Sequence, residues 1–490
     1  MSDAHLTMGR FMAGQQCDLR LWNQCFEPLP YEAAEPCSLR AMARQVKEAA
    51  RNLFPGGQLV DGNSWDHQGA VRRTSDLVSA GCPAIFDAAF EHGPLHARID
   101  ILENKGPKGW ALHKVKSSTS FKEEHYDEMA FQIEVLNQAS IPLESIHVIH
   151  VNGKYQRGSE GIDWQKFFSR HLVTDVIQTR TAEISSRIAP MLSLLKPDAP
   201  PNIAPGKHCK QPRECEFFEQ CGKLLPNDWI GKLPNIRAPL FDKLQSQGID
   251  AISKIPQSIP LSAQQQTIRR VHQTGHNHVS SQAGSKLKPF GPPAAYLDFE
   301  CFIPTIPLYA GTCPYQHIPF LWSLHRVDRD SNLSHTDFIA EPSADPRLPF
   351  IENLLAKLAG SNEPIVVYSG YEKRILEELK RTFPNLSAKI TCVVNRLQDL
   401  LPYVKKNIYL PEFNGSFSIK HVAPALNQNV TYSDLEIKNG TAASTAYQQL
   451  VEGNTPGKDP TTVLQDLRDY CERDTEAMVK VHQALQKLLK

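Results

Sequence analysis

The sequence lacks a net charge, because its 53 lysines and arginines balance its 53 aspartates and glutamates. A global field that draws the chain to nucleic acid is therefore excluded, and any such binding must come from local basic patches. No run of eighteen apolar residues is present, and the first residues carry no signal-peptide pattern. These two absences predict a soluble, cytoplasmic protein with no membrane partner.

Internal repeats are also absent, and so is the cysteine pattern of a disulfide framework. The eleven cysteines that are present favour metal ligands or reduced thiols in a chain with cytoplasmic features. A length of 490 residues predicts about two to four domains, each able to bury a core.

What the sequence does contain is an acidic strand pattern at residues 294–300, behind a stretch rich in Pro, Gly and Ser. Because strand side chains alternate, Asp298 and Glu300 share one face, while Leu297 and Phe299 share the other. Two carboxylates on a central strand are costly to bury unless cations neutralise them. A pair of divalent metal ions is the expected cation. The alternative is an exposed edge strand whose acids are solvated.

Two further patterns in the second half place polar side chains at defined positions. The helical period of residues 464–489 puts Tyr470 and Asp474 on one face, one turn apart. An apolar strand at 364–368 passes through Gly370 into a helix that Glu372 opens. Alternating strand and helix patterns of this kind predict an α/β domain.

Together these three patterns resemble the exonuclease motifs of the DEDDy branch of the RNase H-like superfamily. The resemblance covers roughly residues 290 to 490 and implies a 3′–5′ exonuclease-like domain. It implies that four carboxylates hold two Mg²⁺ or Mn²⁺ ions, namely Asp298, Glu300, Glu372 and Asp474. It also implies that Tyr470 orients the attacking water. One departure is visible, since the second motif of the family normally ends in Asp and here ends in Glu372.

A second motif is a cysteine triplet in which five residues separate each cysteine from the next: Cys209, Cys215 and Cys221. Thiolates favour zinc or iron–sulfur clusters. Three ligands leave one coordination position to be completed by a distant fourth residue.

An early cysteine followed by a late triplet resembles the iron–sulfur RecB-like nucleases of the PD-(D/E)XK superfamily, including those associated with CRISPR systems. The resemblance implies one [4Fe-4S] cluster, with zinc as the alternative metal, held by Cys17, Cys209, Cys215 and Cys221. Such a cluster would join the first helix to the last loop of a domain that spans residues 1–225.

Between these cysteines the sequence predicts a β-hairpin, with strands at 95–103 and 110–119, and then a helix. In the resembled nucleases, an Asp on the first strand and Glu-x-Lys on the second bind metal and polarise the phosphate, and a helix glutamine assists. Asp100, Lys116 and Gln132 match these positions and are implied to be catalytic, with Asp100 a metal ligand.

Lys114 stands where the resembled family has the glutamate. The exchange alters the local charge by two units at contact distance, and each unit is worth about 4 kcal/mol at an effective dielectric near 20. We therefore expect a weakened first nuclease site, unless another carboxylate substitutes: Glu103, Asp87 or Glu124. Lysines around the hairpin could still hold DNA, or form a solvated face: Lys105, Lys108, Lys114, Lys116 and Lys122.

The middle of the chain predicts connecting segments. Residues 226–275 indicate a helical spacer, in which two short helices joined at Gly248 weakly resemble a helix-hairpin-helix unit. Residues 276–292, basic and rich in Ser, Gln and Gly, predict a flexible linker to a domain at 293–490. In that domain Ser418 is a candidate helix N-cap, and the exonuclease resemblance implies that Lys420 contacts substrate.

These patterns predict an α/β protein with a PD-(D/E)XK-like domain followed by an RNase H-like exonuclease domain, a pairing that resembles a bacterial family fusing the two modules. The predicted function is metal-dependent hydrolysis of DNA or RNA, single strands included, chiefly through the C-terminal two-metal site. The alternative is a non-catalytic nucleic-acid-binding or scaffold protein in which both nuclease sites have decayed.

Overall fold

The computed structural model describes residues 5–29, 37–60, 66–196, 199–427, 430–455 and 457–489. The chain divides into two compact units. Unit 1 consists of Met1–Leu224 with Thr305–Tyr315, and unit 2 consists of Leu225–Pro304 with Gln316–Lys490. Both units combine sheets with helices, so the predicted α/β class is confirmed.

Unit 1 is built on a mixed seven-stranded sheet. Its strands are β1 (Leu6–Thr7), β2 (Gln58–Leu59), β3 (Ala84–His92), β4 (Leu95–Asn104), β5 (Trp110–Lys116), β6 (Leu143–Val151) and β7 (Phe168–Leu172). They lie in the order β2-β3-β4-β5-β6-β7, and β1 pairs with β4. Strands β3, β4 and β5 are antiparallel, whereas β6 runs parallel to β5. The predicted β4–β5 hairpin is therefore confirmed.

Helices cover this sheet. They are α1 (Met8–Gln16), α2 (Asp18–Phe26), α3 (Cys37–Ala50), α4 (His67–Ser79), α5 (Glu123–Gln138), α6 (Trp164–Phe167), α7 (Thr174–Ser193) and α8 (Phe218–Cys221). One buried cluster joins Phe11 of α1, Phe131 of α5 and Ile184 of α7 to the sheet. A second cluster joins Val46 of α3 to sheet residues such as Ile101. Apolar side chains on both faces thus hold β4 and β5 in the interior.

Unit 2 contains a five-stranded sheet and a two-stranded one. Its strands are β8 (His278–Val279), β9 (Ala294–Phe302), β10 (Ile318–Val327), β11 (Leu333–Ile339), β12 (Ile365–Val367), β13 (Leu397–Asp399) and β14 (Ile408–Tyr409). The larger sheet has the order β11-β10-β9-β12-β13, and β8 pairs with β14. Strand β10 is antiparallel to β9, and β12 is parallel to it. The acidic strand β9 is therefore central, as its sequence predicts.

Ten helices are described in unit 2. They are α9 (Ala238–Ser246), α10 (Ala263–Thr274), α11 (Ala283–Leu287), α12 (Arg347–Leu358), α13 (Tyr371–Thr382), α14 (Ser387–Val394), α15 (Leu400–Asn407), α16 (Ile419–Leu426), α17 (Gly440–Val451) and α18 (Pro460–Leu488). Within the described ranges, none of the protein's helices is both long and apolar enough to cross a membrane.

The two faces of β9 meet different helices. Leu297 and Phe299 join a buried cluster with residues of α12, α13 and α14. On the opposite face, the Tyr296 hydroxyl lies 2.8 Å from Nδ1 of His482 in α18. The predicted alternation is confirmed, and it directs Asp298 and Glu300 toward the side covered by α18.

The spacer and linker differ in part from their prediction. Helix α9 is followed by Gly248 in a left-handed turn, at φ +69°, but the second predicted helix is only a short 3₁₀ turn, Ile252–Lys254. Residues 276–292 were expected to be flexible, yet they contain β8 and α11. The composition of this segment is polar on average, but three of its side chains are buried, those of Ala283, Leu287 and Phe290. Burial of these three side chains is enough to pack the segment.

Candidate active sites

Three elements of unit 2 bring four carboxylates together. Strand β9 supplies Asp298 and Glu300. Glu372 lies in the first turn of α13, whose N-cap is Gly370, and Asp474 projects from α18. The sequence patterns at 294–300, 364–372 and 464–489 thus predict the elements that position these acids.

Burial and repulsion define the electrostatics of this acidic cluster. Glu300 is 7% exposed, Glu372 3% and Asp474 9%. Burial, and then the charges of Asp474 and the other acids, raises the pKa of Asp298 and that of Glu300 well above their ordinary values. Burial likewise raises the pKa of Glu372 to about 8, with Asp399 and Asp474 adding to the effect. Four acids that repel each other in a dry site require protons or cations.

The donor set fits divalent metal ions. Oε2 of Glu372 is buried without a hydrogen-bond partner, so one ligand position of this acid is unused within the protein. Single ligand atoms of Asp298, Glu300 and Cys471 lie within 4.8 Å of one another. Carboxylate oxygens are the ligands that Mg²⁺ and Mn²⁺ prefer. The extra methylene of Glu372, compared with the expected Asp, still allows its carboxylate to interact with Asp474.

A lysine and two tyrosines border the acidic cluster. The Tyr432 hydroxyl donates to Oδ1 of Asp474 at 2.6 Å. Nζ of Lys420 donates to the Tyr470 hydroxyl at 3.1 Å and lies 4.7 Å from that ring's centroid. Burial and the neighbouring acids raise the pKa of Tyr470 far above its usual value, so its hydroxyl keeps its proton and can donate to an oxygen.

Sequence reasoning missed two residues of this cluster, Tyr432 and Cys471. The thiol of Cys471 lies 3.5 Å from Oδ2 of Asp298. In the sequence, only its position next to Tyr470 on α18 could have indicated that Cys471 belongs to the cluster. Tyr432 lies in a loop with no periodicity, so nothing local could have identified it. Asp399 caps α15 by accepting a hydrogen bond from the Leu401 amide at 3.0 Å. Ser418 occupies the predicted N-cap of α16, although its side chain makes no capping hydrogen bond.

In unit 1 the matching acid, Asp100, is neutralised by lysines. Its Oδ1 lies 2.5 Å from Nζ of Lys47 and its Oδ2 lies 3.4 Å from Nζ of Lys114. The Val115 amide also donates to Oδ2, at 3.0 Å. Although burial opposes it, the charges of Lys114 and Lys47 hold the pKa of Asp100 below its usual value. The ammonium groups therefore occupy the sides of Asp100 where a metal would bind.

The other residues of this first site also have partners. Lys116 forms an ion pair with Glu128 of α5, and the Gln132 amide donates to the Arg98 carbonyl. Glu128, which the sequence did not single out, also lies 3.9 Å from Lys114.

The three substitute carboxylates differ in position. Oδ1 of Asp87 lies 3.9 Å from Nζ of Lys47, the lysine that also pairs with Asp100, and Oδ2 of Asp87 lies 3.0 Å from the Arg51 guanidinium. Glu103 pairs with Lys105 and Glu124 with Lys122. Only Asp87 among the three lines the same groove as Asp100, of about 650 Å³.

The lysines around the hairpin are not a free basic surface. Each of the five forms an ion pair with a carboxylate: Lys105 with Glu103, Lys108 with Glu144, Lys114 with Asp100, Lys116 with Glu128 and Lys122 with Glu124. Paired lysines release fewer counterions on binding a phosphate backbone than free ones do, so the hairpin alone is a weak candidate for DNA binding.

The four predicted cluster cysteines converge in unit 1. Cys17, between α1 and α2, lines one cavity with the triplet Cys209, Cys215 and Cys221. Burial and the neighbouring thiols of Cys209 and Cys17 raise the pKa of Cys221. The two chain segments are joined by an ion pair between Arg20 and Glu216, 2.8 Å apart and both nearly buried. These thiols form a soft donor set that suits zinc or an iron–sulfur cluster.

Comparison with known proteins gives two findings. The family described as "Domain of unknown function (DUF2779)" matches residues 295–418. A protein of Ureaplasma parvum serovar 3, called "Uncharacterized protein UU173", is 23% identical over 216 residues, which is 40% of this chain and 31% of that relative. The chain therefore matches only about a third of the relative's length. The family match covers Asp298, Glu300 and Glu372 but ends before Asp474.

Proposed function

We propose that the protein is a metal-dependent nuclease that removes nucleotides from the 3′ end of DNA or RNA at the acidic cluster of unit 2. The observation that carries this proposal is the convergence of Asp298, Glu300, Glu372 and Asp474 into one mutually repelling group, in which the last three are buried and Asp298 is half-buried. A structural role for four such acids without cations would be strongly destabilising.

The strand order also supports the proposal. Counting from β9, the larger sheet of unit 2 has the order 3-2-1-4-5, with the first three strands antiparallel and the last two parallel to the first. The strand that carries Asp298 and Glu300 therefore lies between neighbours on both sides, where its acids can face a site covered by a helix. In unit 1, three antiparallel strands, a helix and a parallel strand follow one another, so the predicted hairpin and helix stand side by side on one sheet.

The chemistry follows from the donor set. Divalent ions held by Asp298, Glu300, Glu372 and Asp474 would supply an activated water and stabilisation of the leaving oxygen of a phosphodiester. In this proposal the protonated Tyr470 hydroxyl would orient the attacking water. Tyr432 fixes one Asp474 oxygen through its 2.6 Å hydrogen bond. Lys420 positions Tyr470 and adds a positive charge that can attract a phosphate.

For unit 1 we propose a structural or nucleic-acid-binding role instead of catalysis. Lys47 and Lys114 flank Asp100 at 2.5 and 3.4 Å, so a divalent ion would have to displace two ammonium groups. The second candidate function, a scaffold with decayed sites, is favoured by this observation for unit 1 only.

The thiol cavity of unit 1 is proposed to hold a [4Fe-4S] cluster that joins the α1–α2 corner to residues 209–221. The protein purified without oxygen should be brown, with iron and sulfide in equal amounts and absorbance from thiolate-bound iron. Colourless protein that contains one zinc per chain would show that the cysteines bind zinc and not an iron–sulfur cluster.

The nuclease proposal is tested with single-stranded DNA and RNA labelled at the 5′ end, incubated with Mn²⁺ or with EDTA. We expect a ladder of shortened labelled products with Mn²⁺ and intact substrate with EDTA. Release of labelled mononucleotide as the first product would indicate attack from the 5′ end and contradict the polarity. Intact substrate under every metal condition would contradict the function itself.

A further inference from the structure

A cluster of histidines in unit 1 borders the groove that also contains Asp100, since His67 and His96 both line it. His67 is the first residue of α4, Glu91 lies near the end of β3, and His96 lies near the start of β4. Glu91 and His96 are directly opposed across the antiparallel pair. His5 precedes β1, which pairs with the same end of β4. Four separate segments of unit 1 thus bring one carboxylate and three imidazoles together.

The distances within this histidine cluster approach those of a metal site. Nε2 of His67 and Nε2 of His96 each lie 3.7 Å from Oε2 of Glu91. The ligand atoms of these three residues all lie within 4.8 Å of one another. Around a tetrahedral zinc with bonds of about 2.0–2.1 Å, neighbouring ligand atoms are about 3.4 Å apart. The two nitrogen–oxygen distances exceed this value by only a few tenths of an ångström, so side-chain adjustment could bring the two imidazoles and the carboxylate onto one ion.

The imidazole of His67 has a nitrogen available to bind a metal. Nε2 of that ring is buried without a hydrogen-bond partner, and it is the atom that lies 3.7 Å from Oε2 of Glu91. A buried ring nitrogen that bonds nothing within the protein can serve as a metal ligand.

His5 can complete the set. Its ring stacks on His96 with centroids 3.9 Å apart, and His96 stacks in turn on His67 at 4.1 Å. Nδ1 of His5 is likewise buried without a hydrogen-bond partner. Two buried, unpartnered imidazole nitrogens beside one carboxylate have no evident purpose in a purely structural contact.

We propose that His67, Glu91 and His96 bind one zinc-class divalent ion, with His5 or water as the fourth ligand. Imidazole nitrogens select zinc, copper or nickel over Mg²⁺, so this site differs in preference from the carboxylate cluster of unit 2. The ion would tie the segment before β1 and the start of α4 to the β3–β4 hairpin. This inference does not depend on the proposed nuclease activity, because none of these residues is a predicted ligand or catalytic residue of either nuclease site, although His67 and His96 line the groove of Asp100.

The test measures zinc bound per chain after dialysis of the full-length protein against Zn²⁺ with excess Mg²⁺. The matched variants are Glu91→Gln, which keeps the shape of the side chain, and His92→Ala, which removes an exposed histidine from the same hairpin. We expect Glu91→Gln to bind one zinc fewer than the wild-type protein, and His92→Ala to bind the same number. Equal zinc in all three proteins would overturn the proposal, since the thiol site contributes equally to each.

A second measurement guards against misfolding of a variant. Cobalt titration should give the visible bands of a nitrogen- and oxygen-ligated ion, separate from the thiolate charge-transfer bands of the cysteine site. Loss of a direct ligand in Glu91→Gln or His67→Ala should weaken cobalt binding beyond the about 10–100-fold typical of outer ligand partners. Nitrogen- and oxygen-ligated bands that persist unchanged in both variants would place the ion elsewhere.

Discussion

The two units each bury an aspartate on a central strand, but they treat its charge in opposite ways. Asp100 of unit 1 has ammonium groups at 2.5 and 3.4 Å, which hold its pKa below the usual range. Asp298 of unit 2 has three further carboxylates as its charged neighbours, which together with burial raise its pKa. The sign of the pKa shift thus separates a satisfied acid from one that still requires a cation.

This contrast indicates which of the two sites gains from binding a metal ion. A carboxylate already paired with two lysines gains little from a metal, because the ion must displace the ammonium groups. A group of four acids with one neighbouring lysine, Lys420, gains a great deal, because each bound ion relieves both repulsion and burial cost. We therefore assign the proposed chemistry to unit 2, and each of the following predictions tests that asymmetry.

The largest effect is expected from removing one acid in each unit. Asp298→Ala removes a proposed metal ligand and should lower the rate of digestion by at least about 1000-fold. Asp100→Ala, the matched change in unit 1, should alter the rate less than about threefold, because Asp100 contacts only lysines and a backbone amide. Initial rates on labelled DNA or RNA measure both. A loss confined to Asp100→Ala would reverse the assignment of the two sites.

A second change should create in unit 1 a metal-binding site like the one proposed for unit 2. Lys114→Glu restores the expected Glu-x-Lys pattern and changes the charge beside Asp100 by two units, so Mn²⁺ binding there should tighten by at least about 100-fold. Lys108→Glu, at a lysine whose side chain is 74% exposed, is the matched control and should change nothing. Calorimetry measures the number of ions bound. An unchanged number in Lys114→Glu would show that charge alone does not disable the site.

The third prediction concerns stability without metal. Because the pKa of Glu372 is about 8 in the folded protein and about 4.3 in the unfolded chain, the folded state holds a proton that the unfolded chain releases between these values. The free energy of unfolding should therefore fall as pH rises from about 4.3 to about 8. Glu372→Gln has no proton to lose, so its free energy of unfolding should fall between pH 5 and pH 8 by on the order of 3 kcal/mol less than that of the wild type.

Urea denaturation in EDTA at pH 5 and pH 8 measures this difference. Glu377→Gln, on the same helix but outside the acidic cluster, is the control and should follow the wild-type curve. If Glu372→Gln loses stability with pH as steeply as the wild-type protein does, the raised pKa belongs to another group.

The smallest effect is expected from Tyr470→Phe. Removing the hydroxyl deletes one hydrogen bond to the reacting water and the contact with Lys420, which should lower kcat by about tenfold with little change in KM. Tyr447→Phe is the control, since its hydroxyl bonds the Ala340 carbonyl elsewhere in unit 2. If Tyr470→Phe and the wild-type protein are equally active, the Tyr470 hydroxyl takes no part in the reaction and the residue has a structural role.

Much of unit 2 could be predicted from the sequence because its signals are local. Alternation along β9, the glycine before α13 and the helical period of α18 each position an acid within a single element. What local signals could not supply were partners from other segments, such as Tyr432 beside Asp474.

Unit 1 shows the same limit more strongly. The hairpin and the helix bearing Gln132 were predictable, but Lys47 reaches the Asp100 site from α3, which is far from the hairpin in sequence. The pairing of Glu128 with Lys116 depends on how α5 packs on the sheet. The segment at 276–292 was mispredicted because its composition is polar on average, while burial of Ala283, Leu287 and Phe290 determines its conformation. Composition averages over a segment, whereas packing depends on individual side chains.

The most direct test of a metal centre in unit 2 counts, by calorimetry, the Mn²⁺ ions that the full-length protein binds in the wild type and in Asp298→Asn and Asp100→Asn. We expect two carboxylate-bound ions in the wild type, the same two in Asp100→Asn, and loss of at least one in Asp298→Asn. Undiminished binding in Asp298→Asn, or no Mn²⁺ binding by the wild-type protein, would contradict the claim that the acids of unit 2 form a metal centre.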